Sequence, residues 1–87
     1  MAVIWIPPEM RALTDGKDSI RVPGRTVGQA LANLDVIYPG VWGRLCQEND
    51  LRPFLTVVVD GEISGMRIHQ PLQEDSEVRF LPIMEGG

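Results

Sequence analysis

The chain opens on a solid apolar run, Ala2 to Ile6, closed by Pro7-Pro8. Its β-branched and aromatic residues predict a strand. The lack of polar alternation predicts one covered on both faces or placed centrally in a sheet. A short connection, Glu9 to Leu13, leads to a polar turn, Thr14-Asp15-Gly16-Lys17-Asp18. Ser19-Ile20-Arg21-Val22 then alternates polar and apolar, the period of a half-buried strand, and Pro23-Gly24 ends it. The first two strands are expected to form a hairpin.

The period then changes. Val27, Ala30, Leu31, Leu34 and Tyr38 recur at helical spacing and define one apolar stripe. Thr26-Val27-Gly28-Gln29 has the form of a capping box at its start, and Tyr38-Pro39-Gly40 stops it. Val41 to Cys46 adds a helical turn, and Gln47 to Pro53 reads as loop. Phe54-Leu55-Thr56-Val57-Val58-Val59 is the strongest strand signal in the chain, followed by the turn dipeptide Asp60-Gly61. A short irregular return covers Glu62 to His69, a polar turn covers Gln73 to Ser76, and Glu77 to Leu81 is the last strand. One amphipathic helix among these strands predicts an α+β fold, a mixed sheet covered on one face. The same element order is that of the β-grasp, or ubiquitin-like, fold.

Eighty-seven residues make one domain. With 44% apolar residues the chain buries roughly 60–65% of its unfolded surface, too little for a deep internal active site. The division expected is a domain over residues 1–83 and a flexible tail over 84–87. Net charge is −4, with eight Lys and Arg spread along the chain, which argues against nucleic-acid binding and against a polybasic membrane contact. The single cysteine, Cys46, excludes an internal disulfide and suits a reducing compartment. The N-terminal apolar run is too short to span a bilayer, so a soluble, cytoplasmic protein is expected.

The candidate chemistry lies at the end of the chain, Glu85-Gly86-Gly87. Without a Cβ, a diglycine can lie extended in a slot too narrow for other residues. Its tip is an α-carboxylate with a reference pKa of about 3.3–3.7, ionised at neutral pH. A carboxylate is a poor electrophile until something activates it. Taken alone, the tail is either a substrate handle for another enzyme or an ordinary chain end.

Elsewhere the chemistry is sparse. Cys46 reads as a small buried hydrophobe, with a persulfide or thioester role as the alternative. His69 is the only histidine and has no second ligand near it in sequence, so no metal site is expected. Glu74, Asp75 and Glu77 read as a solvated turn, and Trp5 and Trp42 as core or near-core residues. If Leu55, Val57 and Val59 point into the core, alternation places Phe54, Thr56 and Val58 on the opposite face. With Leu81 pointing out as well, Phe54, Val58 and Leu81 are candidates for an apolar partner-binding patch beside the tail.

Across nearly its whole length the sequence resembles the prokaryotic ubiquitin-like sulfur carriers of MoaD/ThiS type. The likeness is nearest to the longer forms, which include carriers that feed cysteine synthesis. The matching pieces are Ile6-Pro7 with Arg11-Ala12-Leu13-Thr14, Gly24 to Leu31, Tyr38-Pro39-Gly40 and Leu51 to Val57. Asp60-Gly61-Glu62, Leu72, Asp75 to Val78, Leu81-Pro82 and Gly86-Gly87 complete them. The resemblance implies no chemistry of the chain's own and no bound cofactor. It implies a partner resembling ubiquitin-activating enzyme that adenylates Gly87 with ATP. The adenylate becomes a thiocarboxylate, which delivers sulfur to an acceptor enzyme. Other roles open to the same fold are the small subunit of a molybdopterin-synthase-like complex, a protein modifier and an interaction domain with an inert tail. The sequence departs from the family at Glu85, where relatives have a small residue, and at Thr56, where asparagine is frequent. Met84 is also large for its place.

Overall fold

The apolar run at the N-terminus becomes the second strand of a five-stranded sheet in the computed structural model, which describes residues 1–83. Strand β1 (Ala2–Trp5) pairs antiparallel with β2 (Ser19–Val22), Ala2 opposite Val22. On its other side it runs parallel to the last strand, β7 (Glu77–Pro82), with Ile4 opposite Val78. Strand β5 (Leu55–Val59) flanks β7 antiparallel, and β6 (Glu62–Ser64) closes the far edge. The order is β2-β1-β7-β5-β6, so the two ends of the chain supply neighbouring central strands. That is the mixed sheet and helix of a β-grasp protein.

Helix α1 (Val27–Ile37) covers one face, and the spacing of its apolar positions explains why. Val27, Ala30, Leu31 and Leu34 are wholly buried, in one cluster with Ile4, Val22, Val57 and Val78 from the sheet. The helix starts as the sequence requires, with Gln29 N donating to Thr26 Oγ1 at 3.1 Å. The reciprocal arm of the box is displaced by one residue: Gln29 Oε1 accepts from Arg25 N, at 2.9 Å. Gly24 lies so close under the helix that a Cβ there would sit 2.6 Å from Ala30 N, so glycine is required by space alone.

Some elements differ from the sequence reading. β1 ends at Trp5, and the connection after it is a 3-10 helix over Pro8–Thr14. Where a helical turn to Cys46 and a loop from Gln47 to Pro53 are expected, a short helix α2 (Val41–Leu45) is followed by a small antiparallel pair, β3 (Cys46–Gln47) and β4 (Asp50–Leu51). Phe54 lies in the turn before β5. A 3-10 turn at Arg67–His69 returns the chain from β6. Its Arg67, at φ 55°, donates to the carbonyls of Leu51, Arg52 and Leu55 at 2.8–2.9 Å. This one guanidinium satisfies the backbone of the irregular stretch leading into β5.

Candidate functional site

Strand β7 leads to the last described residues. It is central, with β1 on one side and β5 on the other, and its last residues, Leu81 and Pro82, pair with Thr56 and Leu55. Beyond it, Ile83 N donates to Phe54 O at 2.7 Å, so the chain is held to the sheet up to the point where the described residues end. Glu85, Gly86 and Gly87, the candidate tail, lie outside the described residues.

The sheet face away from α1 surrounds this exit. Val57, Val59, Val78 and Phe80 point into the core, so alternation turns Thr56, Val58, Arg79 and Leu81 to the open side. Leu81 is 47% exposed and Val58 half-buried. Val58 stands opposite Arg79 on β7 and opposite Ile63 on β6. Ile63, 72% exposed, therefore adjoins the proposed patch, although the sequence reading did not single it out. A polar Glu62 before it and Ser64 after it were the signal, one apolar residue alternating in a short return.

Phe54 falls elsewhere. Because it precedes β5 in a turn, strand alternation does not reach it. It is 57% exposed and lines a groove of about 270 Å³ with Met10, Leu45, Leu55, Phe80 and Pro82. The three residues expected to form one patch thus divide between the open sheet face and this groove. Trp5 also departs from expectation, since it faces the open side of β1 and is only half-buried. Its Nε1 donates to Glu77 Oε1 at 2.8 Å, and the Arg79 guanidinium lies 4.3 Å from its ring centroid. Trp42 packs against the core cluster.

The carboxylates near the last turn do not converge on one ligand. Glu74 accepts from the N-terminal amine at 2.9 Å, Asp75 from Arg21 at 2.7 Å, and Glu77 from Trp5. Among the described residues no group of three or more His, Cys, Asp or Glu is placed to hold a metal ion. Cys46 is buried, and burial, reinforced by the negative Asp50, pushes its thiol up to about 11 against the pull of Arg52 and Arg67. A protonated, enclosed sulfur is a poor nucleophile. No helix among the described residues is long and apolar enough to cross a membrane.

A β-grasp domain whose last central strand is followed in sequence by a diglycine defines a ubiquitin-like protein. More narrowly, the chain belongs to the ThiS family, whose sequence model matches residues 4–87, and is a ubiquitin-like sulfur carrier. Comparison with curated proteins gives no sequence match. Among solved structures, a chain of the Amycolatopsis orientalis BexX/CysO complex is 27% identical, with a TM-score of 0.88 and full coverage of both chains. CysO of Mycobacterium tuberculosis is 26% identical, with a TM-score of 0.85, over 97% of this chain and 100% of that one. SAMP1 of Haloferax volcanii, at 21% identity and a TM-score of 0.76 over 99% and 98% of the two chains, shares the fold.

Proposed function

We propose that Gly87 is the working end of this carrier and that the chain is a cosubstrate, with no catalysis of its own. The Gly87 carboxylate attacks the α-phosphorus of ATP on an adenylating enzyme of ubiquitin-activating type, and pyrophosphate leaves. Hydrosulfide then displaces AMP from the acyl adenylate to give a thiocarboxylate; where a persulfide carries the sulfur instead, a thiol cleaves the resulting acyl disulfide, leaving the thiocarboxylate and a disulfide on the donor. An acceptor enzyme takes that sulfur into cysteine or another sulfur-containing metabolite. The physical need is plain: the carboxylate has no leaving group of its own, and adenylation supplies one.

The observation that supports this reading best is the reach of the family match, which runs through the domain to Gly87 itself. The placement of β7 agrees with it, since this central strand holds the chain to the sheet up to the residues just before the diglycine. Open-face residues Val58 and Leu81, near the end of β7, are then the surface that meets this partner.

Intact-protein mass spectrometry tests the proposal. With ATP, a sulfur source and the cognate adenylating enzyme, the chain gains the mass of one oxygen-to-sulfur exchange, and a variant lacking Gly87 gains nothing. An unchanged wild-type mass, or sulfur accepted by the shortened chain, overturns it.

A further inference from the structure

Beside the end of β7 lies a smaller groove of about 170 Å³, between the C-terminal ends of β1 and β7. Trp5, Pro7, Pro8 and Leu81 give it apolar walls, and its charged lining residues are two arginines, Arg11 and Arg79. Among the described residues no carboxylate lines it, in a chain whose net charge is −4.

Each arginine is half-exposed and has one loosely placed carboxylate partner among the described residues, and Arg79 also lies over the Trp5 ring. The Nε of Arg11 is buried and donates no hydrogen bond; the nearest carboxylate oxygen, Asp18 Oδ1, is 3.5 Å away. Arg79 Nη2 is 3.9 Å from Glu77 Oε1, an oxygen already accepting from Trp5 Nε1 at 2.8 Å. A buried donor without an acceptor is costly. A charge beside apolar walls interacts more strongly than one in bulk water. A carboxylate is the group whose charge and acceptor oxygens suit such a groove.

We propose that this groove docks an acidic side chain of the adenylating enzyme, its carboxylate received between Arg11 and Arg79 and its neighbouring apolar atoms against Trp5 and Leu81. The assignment rests on the carrier reading, because it is entry of the tail into that enzyme that brings the enzyme's surface over this groove. Charge complementarity selects the occupant. A second copy of this net-negative chain is repelled as a whole, whereas an acidic residue presented by a partner matches the local positive charge. The contact fixes orientation and raises the rate of encounter, as charged contacts at an interface rim do.

The test is calorimetric binding of the full chain to its cognate adenylating enzyme without ATP, at low and high salt. The double variant Arg11→Gln/Arg79→Gln is expected to bind at least about tenfold more weakly at low salt, and with a shallower salt dependence. Arg79→Gln alone, at an exposed strand position, shows part of the loss with wild-type thermal unfolding, which serves if the double variant folds poorly. Wild-type affinity and salt dependence in these variants overturn the proposal. The same measurement in a Glu85→Ala background separates the other occupant: if the arginine substitutions then have no effect, the groove serves the chain's own Glu85 and the proposal falls. The carrier reading is judged separately by the mass gain with ATP. Sulfur uptake without arginine-dependent binding defeats the docking site alone, and arginine-dependent binding without sulfur uptake defeats the carrier chemistry alone. A wild-type chain that does not bind the enzyme defeats both.

Discussion

Leu81 stands directly across the β5–β7 ladder from Thr56, on the sheet face that α1 does not cover. A leucine left 47% exposed one strand position before Pro82 contributes less to the core than its size suggests. Leu81→Asp is therefore expected to leave the unfolding transition close to wild type. If Leu81 meets the adenylating or acceptor enzyme as proposed, the variant should weaken that binding, because it places a charge in an apolar contact. Thermal unfolding and a binding isotherm on the same variant check both halves. A variant that unfolds would mean that Leu81 supports the fold, contrary to the register seen here.

The stripe on α1 makes the opposite prediction. Leu31 and Leu34 are fully buried against Ile4, Val57 and Val78. Truncating either to alanine removes most of a side chain from a closed core and leaves a cavity. The expected loss is about 2–5 kcal/mol each, measured by denaturant unfolding. Near-neutral effects at both positions would show that the helix is not the cover of this sheet.

Cys46 gives a pH dependence with a definite sign. Burial, with Asp50 beside it, raises the thiol from 9.0 to about 11 in the folded protein. Between those values the unfolded chain has lost its thiol proton while the folded chain still holds it, so the unfolded state binds fewer protons. Stability contributed by Cys46 is then present below about pH 9 and lost as pH rises toward 11. Cys46→Ala removes this component, seen as a flatter alkaline limb in the plot of stability against pH. At neutral pH a thiol reagent should react with Cys46 only as fast as the protein opens.

These features differ in how far they were legible in the chain. The stripe from Val27 to Leu34 and the run from Leu55 to Val59 repeat one period over many residues, so each fixes both an element and its buried face. The β3–β4 pair did not announce itself, because four strand residues are too few to show alternation. Arg67 was invisible for a different reason: its role depends on carbonyls of Leu51, Arg52 and Leu55 more than ten positions away. The patch was half legible. Val58 and Leu81 obey alternation within their strands, whereas Phe54 sits one residue outside β5, where a turn sets its direction. The cationic groove joins Arg11 to Arg79 across the sequence, and only the parallel pairing of β1 with β7 brings them together.

The diglycine itself yields the sharpest prediction, since its importance is one of shape. If the activating enzyme admits the tail through a channel that excludes side chains, adding a branched side chain at Gly86 obstructs passage without touching the domain. Gly86→Val should therefore abolish sulfur uptake while leaving the denaturant midpoint at its wild-type value, as Leu31→Ala cannot. Glu85 tests how long the narrow part is. It directly precedes the diglycine in sequence, so a channel reaching this far must have room for a carboxylate or a group that pairs with it. Glu85→Ala should accept sulfur normally with an enzyme that merely tolerates the side chain, and with a raised KM if the enzyme pairs with it. Intact mass after timed reaction, at several concentrations of the carrier, separates the two. Sulfur uptake by Gly86→Val at the wild-type rate would show that no such constriction exists, and the terminal glycines would then need another explanation.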